Sequence, residues 1–229
     1  MNRIIFSPED SDSAARFLAE CSRLAGDGHD VSARIAGPGT GDPVQDESGL
    51  GKMAPDGIEA DISYENLSGV VEISPSDMLV RAKGGTPVSA VAVTAEESML
   101  WFPHYDDFIG REMNVASLLM EAPVLPVSET HGGLREYILS VELVTGGGEK
   151  VRFGSRSIKD VAGYEVIGML LGGGGRYGMI TEVTLRLIPG RGVRERRQGE
   201  PGRAVENEQL ERLAAKIQKV FDPAGILRW

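Results

Sequence analysis

Apolar residues in the first third of the chain recur at two periods. Residues 3–6 read as a short strand closed by Ser7-Pro8. From Ser11 or Asp12 onward, Ala14, Ala15, Phe17, Leu18, Cys21 and Leu24 fall on one side of a helix that Gly26 and Gly28 stop. Residues 31–36 alternate as a strand and run into Gly37-Pro38-Gly39-Thr40-Gly41, and the polar, glycine-rich residues 42–60 predict loop. Residues 69–73 and 78–83 predict two strands joined by a Ser74-Pro75-Ser76-Asp77 turn. Thr86-Pro87 predicts a helix start, with Thr86 as N-cap and Pro87 in the first helical position, running to about Met99. Residues 110–120 are weakly helical, and 121–134 read as loop. Residues 137–144 and 150–153 form a hairpin around Gly146-Gly147-Gly148. A helix at 161–171 leads into Gly172-Gly173-Gly174-Gly175-Arg176-Tyr177-Gly178. Near the end, Leu210, Leu213, Ala214, Ile217, Val220 and Phe221 share one face of an amphipathic helix with Asn207 near its start, expected to pack back on the body.

The glycine run decides between two site classes. Gly173, Gly175 and Gly178 fit G-x-G-x-x-G, which in a dinucleotide fold needs a strand before it and a helix after. Here Val183, Leu185 and Leu187 alternate with Glu182, Thr184 and Arg186 directly after the glycines, which predicts a strand. The Rossmann reading fails on that order. Glycines entering a strand still let backbone approach a flat or anionic ligand closely.

Composition narrows the classes further. A length of 229 residues allows one large domain or two small ones, and 41% hydrophobic residues suffice for a core. A net charge of −10 argues against general nucleic-acid binding and against electrostatic attachment to an anionic membrane. The single cysteine, Cys21, cannot form an internal disulfide or hold an iron–sulfur cluster alone, and reads as a small core residue. With no signal peptide and no apolar run of about 20 residues, the expectation is a soluble, cytoplasmic protein without a membrane span.

Five stretches, in order, resemble the FAD-binding domain of the vanillyl-alcohol oxidase type, and in particular the FAD-binding subunit of glycolate oxidase. Gly37-Pro38-Gly39-Thr40-Gly41 looks like a first phosphate loop, and Lys83-Gly84-Gly85-Thr86-Pro87 like the passage from a strand pair into a helix. Lys159-Asp160-Val161-Ala162-Gly163-Tyr164-Glu165-Val166 is similar to the subunit's Lys-Asn-Val-Ala-Gly-Tyr-Asp-Val. Gly172, Gly175 and Gly178 followed by Ile180-Thr181-Glu182-Val183 resemble a glycine ladder into a strand, and Asp222-Pro223-Ala224-Gly225-Ile226-Leu227 a C-terminal signature.

The resemblance implies an α+β fold of two subdomains, a small N-terminal α/β unit and a larger, mostly antiparallel sheet flanked by helices. It implies an FAD-binding domain at 1–188, divided at 67/68, a linker at 189–206 in place of a substrate cap, and a C-terminal helix and tail at 207–229. The implied cofactor is non-covalent FAD. Its implied binding set is Gly37, Pro38, Gly39, Thr40, Gly41, Pro103, Asn114, Val161, Gly163, Tyr164, Gly172, Gly175, Gly178, Ile180 and Thr181. Backbone amides in the first loop would hold the diphosphate, and Gly163, Gly175 and Gly178 would admit the flat ring. The chain departs from the family at 111–119, Arg-Glu-Met-Asn-Val-Ala-Ser-Leu-Leu, where relatives carry glycines in a second phosphate-binding stretch; His131 to Tyr137 still resembles them.

No catalytic residue is expected. His29 lies in a turn, His104 before Tyr105-Asp106-Asp107 reads as loop, and His131 carries no motif. No G-x-S-x-G supports a hydrolase. The arginine-rich stretch at 191–203 reads as a solvated linker. The function implied is an FAD-binding subunit of a 2-hydroxyacid oxidase or dehydrogenase complex, as electron relay or structural flavin site, with other flavoprotein and iron–sulfur subunits as partners and any membrane association through them. The alternatives are a scaffold of the same fold without FAD and a small free-standing flavoprotein reductase.

Overall fold

The computed structural model describes residues 2–35, 42–44, 50–105, 113–121, 131–155, 161–190 and 208–228, without the side chains of 42–44, 161–165 and 208–210. Its first layer is an all-parallel sheet of five strands in the order β12-β2-β4-β1-β3. These are β1 (Asn2–Phe6), β2 (Val31–Ile35), β3 (Asp42–Val44), β4 (Ile58–Ile62) and β12 (Leu227–Arg228). The second layer is antiparallel, in the order β5-β6-β10-β8-β9. It contains β5 (Val70–Ser74), β6 (Leu79–Lys83), β8 (Ile138–Val144), β9 (Lys150–Gly154) and β10 (Met179–Arg186). A small ribbon pairs β7 (Leu100–Trp101) with β11 (Ile188–Pro189). The helices are α1 (Ser11–Gly26), α2 (Leu50–Met53), α3 (Val88–Glu97), α4 (Val115–Met120), α5 (Val161–Leu170) and α6 (Glu208–Phe221).

Local chemistry explains the first crossover. Asp10 caps α1 by accepting from the Ser13 amide at 2.7 Å, and the Ser13 hydroxyl answers the Asp10 amide. Ala14, Phe17, Leu18, Cys21 and Leu24 then face the parallel sheet, with the Phe17 ring stacked on Phe6 at 4.0 Å. Burial pushes the Cys21 thiol up to about 12, as a core role requires.

Four expectations change. Residues 42–60 are not all loop: they hold β3, α2, a single 3-10 turn at Ala54–Asp56, and the first residues of β4. β4 is the central strand, pairing β1 on one side and β2 on the other. Its pattern is obscured because Asp61, buried at 4%, reads as polar surface while its carboxylate is bonded to Arg34 at 2.8 Å. Thr86 does not cap α3. Pro87 occupies the N-cap position, and the Thr86 hydroxyl instead exchanges two 3.0 Å hydrogen bonds with the Gly69 backbone, tying β5 to the helix start. The expected tail is a strand, β12, paired parallel to β2. The apolar face of α6 is only partly seated: Ile217 and Phe221 pack on the core, whereas Leu213 and Val220 are exposed.

Asp222 is the clasp that returns the chain to the first sheet. Buried at 2%, it accepts the amides of Ile226 at 3.0 Å and Leu227 at 2.8 Å. Asp222→Ala leaves both amides buried without acceptors. The expected loss is about 3 kcal/mol of unfolding free energy, measured by urea denaturation.

The second sheet shows the alternation of a sheet wet on one side. Val80, Ala82, Val141, Leu143, Val183 and Leu185 enter the core. The opposite face carries a ladder in which Arg81 bridges Glu72 and Glu182, and Arg152 bridges Glu182 and Glu142.

Candidate cofactor site

The two layers meet at the carboxyl edge of the parallel sheet, where open α/β sheets take their ligands. Phe6, Ile62 and Ile35 end their strands in register there. The first glycine loop leaves directly from Ile35; Gly37, Pro38, Gly39, Thr40 and Gly41 lie outside the described residues.

The second glycine cluster arrives at the same edge. Gly172, Gly174, Gly175 and Gly178 all have positive φ, at 74°, 60°, 86° and 139°, so a side chain at any of them strains the backbone. The cluster is clamped to the C-terminal end of α4. The Gly172 amide donates to the Leu119 carbonyl at 2.8 Å, and the Gly174 amide to the Met120 carbonyl at 3.4 Å. This brings Gly175 against Ile35: a Cβ there would lie 3.4 Å from the Ile35 Cβ and 3.5 Å from the Met120 sulfur. The second glycine segment thus meets Ile35, the last described residue of β2.

A second junction locks this edge. Gly84 and Gly85 pass between Tyr64, just beyond β4, and the start of β10. A Cβ on Gly85 would stand against the Tyr64 carbonyl and 2.7 Å from the Leu67 carbonyl, and one on Gly84 against the Ile180 carbonyl and 2.9 Å from the Tyr64 ring. The Gly84 amide donates to the Thr181 carbonyl at 2.9 Å, and the Ile180 amide to the Tyr64 hydroxyl at 3.1 Å. Burial pushes the Tyr64 phenol up, so it stays neutral as an acceptor. Tyr64 carries no motif, and the strand before it was hidden in expected loop; its role was not legible in the sequence.

The remaining expected residues divide into groups. Val161, Gly163 and Tyr164 stand in the first turns of α5, which leads into the glycine cluster, with their side chains outside the described residues. Gly178 has a packing reason of its own, since a Cβ there would meet the Val144 carbonyl and stand 2.7 Å from a Leu143 methyl. Ile180 and Thr181 are buried at 3% and 2%. The Thr181 hydroxyl bonds the Glu142 carboxylate at 2.9 Å, on the laddered side of the sheet. Asn114 caps α4 through the Ser117 amide at 2.8 Å, at the end of that short helix remote from the glycine turn, about 9 Å by helix rise. Pro103 is buried next to His104. His104 lies in a turn, as expected, and is fully buried there, packed edge-on to Tyr137 at 5.2 Å and beside Phe102.

The fit to a dinucleotide cofactor is therefore uneven. At the Ile35–Gly175 edge the backbone of Gly174 is exposed while Gly175 is buried, so it is Gly174 that is open to a flat or anionic group. The first turn of α4, in the stretch without the family's glycines, is not open. Its amides are already taken, Val115 by the Thr86 carbonyl at 2.9 Å, Ala116 by the Gly84 carbonyl at 2.8 Å, and Ser117 by Asn114. A separate pocket of about 240 Å³ lies on the ladder face between Leu79, Ser140 and Thr184, where Arg81 and Arg152 already bridge glutamates. Among the described residues no group of His, Cys, Asp or Glu could hold a metal, and no helix is long and apolar enough to cross a membrane.

Comparison with known proteins agrees with this architecture. The chain is 26% identical over 121 residues to glycolate oxidase subunit GlcE of Escherichia coli (strain K12), a match covering 53% of this chain and 35% of that protein. It is 24% identical over 196 residues to glycolate oxidase subunit GlcD of Bacillus subtilis (strain 168), covering 81% of this chain and 37% of that one. A D-2-hydroxyglutarate dehydrogenase of Xanthomonas citri pv. viticola is 29% identical, over 60% of this chain and 29% of its own length. The matches thus span little more than a third of these relatives. A solved alkyldihydroxyacetonephosphate synthase superposes with a TM-score of 0.60 at 16% identity, over 81% of this chain and 31% of that one, and shares the fold. The sequence profile of the FAD binding domain matches residues 4–154, from β1 to the end of β9, and by that match, over more than half its length, the chain belongs to the FAD-binding domain family, with the two-subdomain fold of the vanillyl-alcohol oxidase type.

Proposed function

We propose that this chain is an FAD-binding subunit of a multi-subunit 2-hydroxyacid oxidase or dehydrogenase. The observation that supports it most is the meeting of Gly175 with Ile35 at the carboxyl edge, beyond which the sequence continues into the first glycine loop. The loop at 37–41 would supply the amides for the diphosphate, since the first turn of α4 has none to give. The backbone of Gly172 to Gly178 and the start of α5 would admit the flat ring. When bound, FAD supplies two-electron oxidation and one-electron release. The chain's own part is to bind, to shield and to place that group near a second subunit. In this reading a flavoprotein subunit oxidises the hydroxyacid and an iron–sulfur subunit takes the electrons; the relatives' names say that they are subunits of glycolate oxidases.

One observation favours a second reading. The α4 amides are consumed internally, so a scaffold that has lost FAD keeps every contact described here. The visible spectrum separates the two. The purified chain is expected to be yellow, or to take up added FAD at one per chain by fluorescence quenching. A colourless chain that takes up none supports the scaffold. Bleaching of the isolated chain by glycolate or D-lactate would instead mark a self-sufficient enzyme.

A further inference from the structure

Two rows of residues run along the sequence of α6 at helical spacing. Leu210, Leu213, Ile217 and Val220 are spaced by three, four and three residues, the spacing of a helix that pairs with another along a seam. The seam is only half used. Phe221 meets Phe153 at 6.1 Å and Tyr177 at 5.8 Å, and Ile217 packs on the core. Leu213 is 53% and Val220 77% exposed, the latter the most exposed large apolar residue described. Beside this seam Arg212, Lys216 and Lys219 form an exposed basic row at the same helical spacing. Lys216 stands between Leu213 and Val220, three residues from one and four from the other.

We propose that this stripe is the docking site for a partner chain that offers an apolar groove rimmed with carboxylates. The inference rests on the reading of the chain as a subunit, and names the surface that reading requires. Charge complementarity selects the occupant. Lys216 and Lys219 are exposed cations at the edge of the exposed leucine and valine, whereas the acidic residues of the helix, Glu208 and Glu211, lie in its first turn and Glu211 is paired with Arg176. A second copy fits poorly: antiparallel pairing of two α6 stripes centred on Lys216 sets the two Lys216 ammonium groups against each other. A helix of 14 residues, about 21 Å long, also buries too little alone for a stable dimer of roughly 1,000 Å². An anionic bilayer fits poorly too, since Ile217 and Phe221 are turned to the body and the whole chain is acidic.

The test uses the complex as it forms in the cell. The chain is tagged, purified at low salt with its associated subunits, and treated with a carbodiimide that joins lysines to carboxylates in contact. We expect a flavoprotein subunit at one copy per chain, cross-linked through its Asp or Glu to Lys216 or Lys219. Its retention should fall on raising the salt. Leu213→Ser with Val220→Ser, and separately Lys216→Glu with Lys219→Glu, should each lower retention about tenfold, a change of about 1.4 kcal/mol. All four positions are exposed, so the melting temperature and FAD uptake of the isolated variants should match the parent. Full retention of the flavoprotein by both double variants overturns the stripe while leaving the subunit reading intact. A parent chain that purifies with no other subunit overturns both. If the variants instead lose flotation with phosphatidylglycerol vesicles, or lose self-association in sedimentation, the occupant is a membrane or a second copy, and the proposal fails.

Discussion

Gly85→Ala is expected to leave no cooperatively folded protein at 25 °C, or a molecule destabilised by about 3 kcal/mol or more. A methyl at this position meets the Tyr64 carbonyl, lies 2.7 Å from the Leu67 carbonyl, and stands 3.0 Å from the Tyr64 Cβ. None of these is the free end of a flexible side chain. Backbone must therefore move, and the Gly85 amide is already bonded to Leu67 at 2.8 Å. Overpacking costs of about 1–3 kcal/mol are common where side chains can yield, and more where they cannot. The consequence extends past stability. Gly84 and Gly85 hold β10 against the end of β4, so a shift there carries Ile180 away from Tyr64 and opens the edge where Gly175 meets Ile35. Urea denaturation with near-ultraviolet circular dichroism measures the loss. A variant as stable as the parent would mean that the two layers are not locked at this junction.

Gly175 presents the opposite case. A Cβ there meets only ordinary contacts, at 3.4 Å and 3.5 Å, so Gly175→Ala should fold, losing about 1 kcal/mol to its φ of 86°. If the bare backbone at this edge is what receives the cofactor, FAD affinity should fall about tenfold or more, which is about 1.4 kcal/mol. Gly175→Leu should weaken it further and also cost stability, since Gly175 is buried and a Cβ there already touches Ile35 and Met120. Titration of each variant with FAD, followed by flavin fluorescence, gives the ratio. Equal affinity in parent and both variants would detach the glycine turn from the cofactor.

The sequence made parts of this legible for definite physical reasons. The strand after Gly178 follows from the alternation of Val183, Leu185 and Leu187, and it alone excludes a Rossmann arrangement. The helix α1 follows from its apolar spacing, and the hairpin β8–β9 from its glycine turn. β4 was not legible, because a strand with neighbours on both sides tolerates a buried Asp61 once Arg34 neutralises it. Nor was β12: two residues cannot show a period, and their pairing to β2 depends on the Asp222 carboxylate four and five residues upstream. At the site, the glycines announced close approach but not its object. Gly178 and Gly84 approach the protein's own backbone, and Gly175 approaches the edge from which the first loop leaves. Asn114, expected in the cofactor set, also caps α4, a role that its sequence neighbours did not announce. His104 reads as a loop residue because Asp106 and Asp107 follow it, and it does lie in a turn, but its enclosure by Phe102 and Tyr137 was not legible.

Hydrogen–deuterium exchange on the intact chain, with and without saturating FAD, tests the central claim most directly. Protection on adding FAD should appear together in peptides covering 36–41 and 172–178, with the β5–β6 turn at 74–78 unchanged. Protection of one glycine segment without the other, or of neither while FAD binds, would contradict a shared cradle at the end of β2.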